Sequence, residues 1–414
     1  MINQLAYQAV FGPDKKKVQQ KIKVLAEEKG IWLASINNLY SAKAQGKIPK
    51  NFTVPAINIR GMTYDTAQTV FQAAKKLKVG AFIFEIARSE ISYTNQSPEE
   101  YAAVILGAAI KTNFKGPVFI QGDHYQMKVS DKAGQSEKEE IEKIKKLIKK
   151  SIKAGFYNID IDASTLVDYS QKEIYDQQKR NYEATAKLAQ YTRQIEPKGV
   201  TISIGGEIGH IGGKNSTKKE LQVFMKGFNK KFKSGEAKAD GLSKISIQTG
   251  THHGGVVLPS GKFAKVNVDF EILKNLAQIA RQYGMGGTVQ HGASTLKDKY
   301  FAKFPKAQAI EIHLATGFQN IIMDHSLFPK QLLEKMYRWL NDNAADEQKK
   351  GQTNPQFYYK LRKKAWGQFK KEIWNLPIKI KNPIIKDLEK RFEFLFKQLN
   401  VENTKKMVEK YITR

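Results

Sequence analysis

The chain contains no cysteine among its 414 residues. Disulfides, a thiolate nucleophile and sulfur ligands are therefore excluded, and any metal has to be held by His, Asp and Glu. No apolar run approaches the ~18 residues that a membrane span needs, and Met1 does not open a charged-then-apolar leader, so a cytoplasmic protein is expected. Acid is scarce: 40 Asp+Glu stand against 69 Lys+Arg, a formal net charge of +29. That excess would suit a nucleic-acid binder, but the distribution argues against it. Lysines dominate and sit in stretches such as "KIKKLIKKSIK" (143–153), where apolar residues recur at helical spacing and lysine forms the wet face. Nucleic acid is not the expected partner. An anionic small substrate would gain from the same field through faster encounter.

Short apolar, β-branched runs alternate with longer helical stretches. The runs are "TVPAINIR" (53–60), "AFIFEIA" (81–87), "PVFIQGDH" (117–124), "YNIDIDAS" (157–164), "TISIGGEIG" (201–209), "KISIQTGTH" (244–252), "GTVQHGAS" (287–294) and "AIEIHLAT" (309–316). Strand and crossover helix in alternation mean a parallel sheet covered by helices. The expected class is α/β, a (β/α)8 TIM barrel over residues 51–325, with an open doubly wound sheet as the rival. Residues 1–50 read as a helical lead-in. Residues 326–414 read as a basic helical C-terminal extension and subunit contact, broken near Pro377 and again at "NPI" (382–384).

Histidine is rare, with seven in the chain, yet six of them fall within or just after these runs. In a barrel the C-terminal strand ends meet over one mouth, so His124, His253 and His291, with Glu207 and Asp123 beside them, would converge. Such a set suits a divalent transition metal; imidazole favours zinc, and a catalytic zinc keeps one position open. A metal-free site using His and Asp as acid and base is the alternative. The turns "HHGGV" and "HGAST" offer backbone N–H groups where phosphate binds. No Walker loop is present, since "GGVVLPSGKF" lacks Ser or Thr after Lys262.

The ordered series "GDH", "IDAS", "GEIGHIGG", "GTHHGG", "HGAST" and "IHLAT" resembles the motif series of the class II, metal-dependent ketose-bisphosphate aldolases, and "NPQFYYKLRKKAW" is similar to their Tyr-Tyr-Asp-Pro-Arg segment. The resemblance implies a zinc-dependent aldolase acting on a phosphorylated ketose, most simply fructose 1,6-bisphosphate. It implies one zinc per chain, with another divalent metal as the alternative, held by His124, His253 and His291 with Glu207 close by. Asp123 would handle the proton. Asp162 would support the ligands or serve a second metal. Gly254, Gly292, Ser294 and Thr316 would bind phosphate, as would Arg362, reaching a neighbouring subunit's substrate in a homodimer or higher oligomer.

Several positions depart from the family pattern. Lys214-Asn215 replace two acids, His313 replaces an asparagine, Ala87 replaces a serine, and "HGAST" replaces "HGGSG". The stretch "FEIARSEISYTNQ" is more similar to the accessory subunit of tagatose-bisphosphate aldolase, so a non-catalytic partner subunit is the competing expectation.

Overall fold

The computed structural model describes residues 1–128, 136–209, 213–233, 240–251, 258 and 268–414. Among the described residues nine strands form one parallel sheet: β1 (Ile31–Ala34), β2 (Val54–Asn58), β3 (Ile83–Ala87), β4 (Gly116–Gln126), β5 (Asn158–Asp162), β6 (Ser203–Glu207), β7 (Lys244–Ile247), β8 (Thr288–Gln290) and β9 (Glu311–Leu314). Strands β2 to β9 pair in sequence order, and β9 returns to pair with β2, so the sheet closes into an eight-stranded barrel. All eight apolar runs are barrel strands, and the open-sheet rival falls. Strands β2, β3, β5 and β6 are buried end to end, as expected when helices cover the outside and side chains fill the inside.

The lead-in is not purely helical, because "IWLA" forms β1. It pairs with Gly116–Phe119 at the start of β4, while β5 takes over the same edge of β4 from Gln121 onward. Asn158 makes the joint. Its Oδ1 accepts from Ile36 N at 2.9 Å, and its Nδ2 donates to Ala34 O at 3.3 Å and Ile120 O at 3.0 Å.

The lysine-rich stretch forms the helix Glu137–Ala154. Ser136 and Glu139 cap it reciprocally, and Gly155, at φ 98°, ends it in the left-handed region. Ile141, Ile144, Ile148 and Ile152 face the barrel while Lys143, Lys146, Lys149 and Lys150 are exposed.

Among its described elements the C-terminal extension is helical. Its longest helix, Ile378–Gln398, starts after Pro377 but runs through Pro383, so the expected second break is absent. Ile384, Leu388, Phe392 and Phe396 carry the helix past the missing N–H by packing on the barrel, with the Phe392 and Phe318 rings 4.9 Å apart. Nearer the mouth Trp366 lies flat over Gly61, where any Cβ would meet the indole at 2.0 Å, and its Nε1 donates to Gln319.

Asn158→Ala should lower unfolding free energy by about 1–3 kcal/mol, because buried Ile36 N–H and two carbonyls lose their partners. Denaturant titration checks this; a change near zero would show that the joint between β1 and β5 is dispensable.

Candidate active site

The C-terminal strand ends open on one cavity of about 1020 Å³. Its floor includes Asp123, His124, Glu207 and His291, which lie on or directly after β4, β6 and β8. Regular alternation along β4 would send Asp123 and His124 to opposite faces. The register between β4 and β5 shifts between Gly122 and Tyr125, and His124 sits at φ 43° in the left-handed region. This bulge turns both side chains toward the cavity.

His124 Nδ1 lies 3.0 Å from Asp162 Oδ2 and 3.3 Å from Glu207 Oε2, and its ring centroid is 4.2 Å from that of His291. Donor atoms of His124, Glu207 and His291 fall within 4.8 Å of one another, so these three residues could hold a metal ion. Asp162 supports the set from behind. It accepts from Ser164 N at 3.1 Å, Ser164 Oγ at 2.7 Å and Gln126 Nε2 at 2.7 Å, which fixes the carboxylate that orients His124. Burial would raise Asp162, but the bonds from His124, Ser164 and Gln126 hold it below the usual carboxylate range. Burial and Asp162 push Glu207 up to about 8, against the pull of His124. His124 is raised well above an ordinary imidazole, since the charges of Asp123 and Glu207 overcome the effect of burial. A divalent cation among these groups would take over the charge balance that protons on Glu207 and His124 otherwise provide.

Gly292, Ser294 and Thr316 line the same cavity. Thr316 opens the helix Thr316–Met323, so backbone N–H groups point at the mouth there. Arg60, which the sequence reading missed, donates through Nη1 to Thr316 Oγ1 at 3.3 Å and pairs with Glu90 at 2.7 Å. It follows a strand end, "NIR", so the rule that found the histidines could have found it. His253 and Gly254, with His210 and His252, lie outside the described residues.

Within the single chain Arg362 does not line this cavity. The guanidinium is buried and forks onto Asp324, with Nη2 at 2.9 Å from Oδ2, bonds Asn320 at 2.7 Å and stacks on Tyr359 at 5.0 Å. An acidic partner 38 residues earlier, capping the helix Thr316–Met323, claims it. The cation that this segment presents to the cavity is Lys363, joined by Lys360, Lys349 and Lys350. Burial and the neighbouring Arg60 push Lys363 down to about 8. Lys214, where the family has an acid, is bound to Glu220 at 2.8 Å.

Two outcomes follow for these side chains. Arg362→Ala should destabilise the protein by roughly 1–3 kcal/mol through its lost charge-assisted bonds, without moving the Michaelis constant for substrate; a change in that constant at unaltered stability would return Arg362 to the binding site. In chelator-treated protein, acids raised on folding bind more protons folded than unfolded, so stability should fall as pH climbs from about 5 to 8. Glu207→Gln should flatten that slope in thermal unfolding scans, and an identical slope would contradict the raised Glu207.

The chain matches the pattern of the family described as fructose-bisphosphate aldolase class-II over residues 42–375. Among solved structures, a protein from Coccidioides immitis assigned as a fructose-1,6-bisphosphate aldolase has a TM-score of 0.52 at 15% identity, covering 89% of this chain and 97% of that one. The YdjI aldolase from Escherichia coli K12 has a TM-score of 0.50 at 13% identity, covering 89% and 98%. A fructose-bisphosphate aldolase from Campylobacter jejuni has a TM-score of 0.50 at 18% identity, covering 90% and 97%.

Proposed function

The chain belongs to the class-II fructose-bisphosphate aldolase family and is an aldolase, and from that premise we propose that it is a zinc enzyme cleaving a ketose 1,6-bisphosphate, fructose 1,6-bisphosphate first, into two triose phosphates. The observation that carries this is the His124–Glu207–His291 set on the floor of a cation-walled cavity, with Asp123 beside it. Two imidazoles and a carboxylate are a donor set that zinc accepts, and His253 would complete it. The ion, when bound, polarises the ketose carbonyl as a Lewis acid.

The remaining work falls to the chain. Asp123 takes the C4 hydroxyl proton as the C3–C4 bond breaks, and the bond pair stays with C3, which then accepts a proton. Gly292, Ser294 and Thr316, with the N-terminus of the helix Thr316–Met323, bind one phosphate. Arg60 and Lys363 lie across the mouth from Glu207, since Arg60 follows β2 and β2 stands opposite β6 in an eight-stranded ring. Among the described residues Lys363 has no ion-pair partner, and a second phosphate on this wall offsets the cost of its burial.

Purified protein should contain about one zinc per chain, as a single catalytic site requires. His124→Ala and His291→Ala should each remove it, and Asp123→Ala should keep zinc while losing roughly 10²-fold or more in turnover. The checks are metal analysis and a coupled assay for triose release from fructose and tagatose 1,6-bisphosphates. Stoichiometric zinc retained in both histidine variants would sink the metal site. Zinc without triose release from either sugar would favour the accessory-subunit reading.

A further inference from the structure

Asp123 reaches the cavity floor with a second group directly behind it. His313, on β9, places Nδ1 3.1 Å from Asp123 Oδ1 and 3.0 Å from Glu85 Oε2, and Nε2 2.7 Å from Glu311 Oε1. Glu311 is held in turn by Lys244 Nζ at 2.5 Å, Gln121 Nε2 at 2.9 Å and the Tyr40 hydroxyl. His313 is 5% exposed, and Glu311 and Lys244 are 0% exposed. Turning the ring would break buried, charge-assisted bonds.

The two ring nitrogens therefore differ in what they hold. Nε2 is fastened to the middle of the barrel, and Nδ1 faces the end of the ladder that opens on the cavity. Satisfying Glu311 does not by itself call for His313, because that carboxylate already has an ammonium, an amide and a phenol, and accepts about four bonds in all. The other end is functional ground: Asp123 and His313 both line the cavity, and Glu311 does not.

We propose that His313 is a positioning residue, whose Nδ1 fixes the Asp123 carboxylate in the orientation for proton transfer while Nε2, Glu311 and Lys244 anchor the ring. The inference rests on Asp123 being the proton-handling group. Two amides separate it from plain core packing. Asparagine places its side-chain nitrogen near the position of Nδ1, and glutamine near that of Nε2.

His313→Asn should keep kcat within about tenfold of the parent, whereas His313→Gln and His313→Leu should lose roughly 10²-fold or more, the scale of a mispositioned acid-base group. Michaelis constants and metal content should stay close to parental, and thermal unfolding confirms that each variant is folded. His313→Gln matching or exceeding His313→Asn, or metal lost together with turnover, overturns the proposal. If His313→Gln does not fold, His313→Leu takes its place. If neither folds, loss of ~10² in kcat by folded His313→Asn overturns the proposal and retention supports it. Asp123→Ala is measured alongside. Full turnover there removes the role of Asp123 and this proposal with it, whereas lost turnover there with equal effects of the two amides overturns the positioning alone.

Discussion

A buried ammonium group sets the terms for the inside of this barrel. Lys244 is 0% exposed, and its Nζ lies 2.5 Å from Glu311, 3.0 Å from Asp160 and 2.5 Å from Gln121. These residues come from β7, β9, β5 and β4, and Gln121 reaches on to Glu85 of β3 at 3.1 Å, so one cation ties five of the eight strands. A charge in a dry interior is tolerated only when paired and fully bonded, and removing one partner leaves the other uncompensated. The layer is therefore a constraint on register as much as a source of stability. A strand shifted by one residue would turn its acid outward and strand the lysine.

The same layer sorts the protonation states beneath the mouth. Burial would raise Glu311, but Lys244 and His313 hold it at about 2. Asp160 is raised to about 6 by burial despite Lys244, and burial takes Glu85 up to about 8 against His313. Burial thus favours the neutral form of Glu85, while Lys244 and His313 favour the charged form of Glu311. The line of Lys244, Glu311 and His313 leads to Asp123 and no further, because above it the bulge of β4 hands over to His124. Regular backbone carries the charged layer. The irregular backbone, at φ 43°, carries the residue that would hold the metal.

What was legible in the sequence follows the same division. Eight barrel strands could be read because each is a short apolar run closed by glycine or a polar cluster, and the histidines marked the ends that converge. Strand β1 could not be read, since "IWLA" is short, sits between helical stretches and owes its state to one edge of β4. Glu85, Lys244 and Glu311 were visible as polar residues inside apolar runs, but their meeting depends on barrel closure, which no local pattern encodes. The direction of Arg362 within the chain was hidden for a related reason. Its motif position suggested the substrate, while Asp324 and Asn320, on a separate helix, set its direction. Pro383 failed as a break because packing by Ile384 and Leu388 outweighs local propensity.

The net charge of +29 also divides once the fold is known. Lysines on outer helices such as Glu137–Ala154 face water, where like charges promote solubility and exert a long-range pull on anions. Around the cavity the cations are not equivalent. Arg60 is bound to Glu90, and Arg88 to Glu140, so both are paired at close range. Lys363 has no such partner among the described residues, and burial together with Arg60 lowers its proton affinity. A bound anion would reverse that effect and pull the lysine back toward full protonation. On the proposed function the outer lysines would bear on how fast an anionic substrate arrives, and Lys363, at the wall, on how tightly it stays.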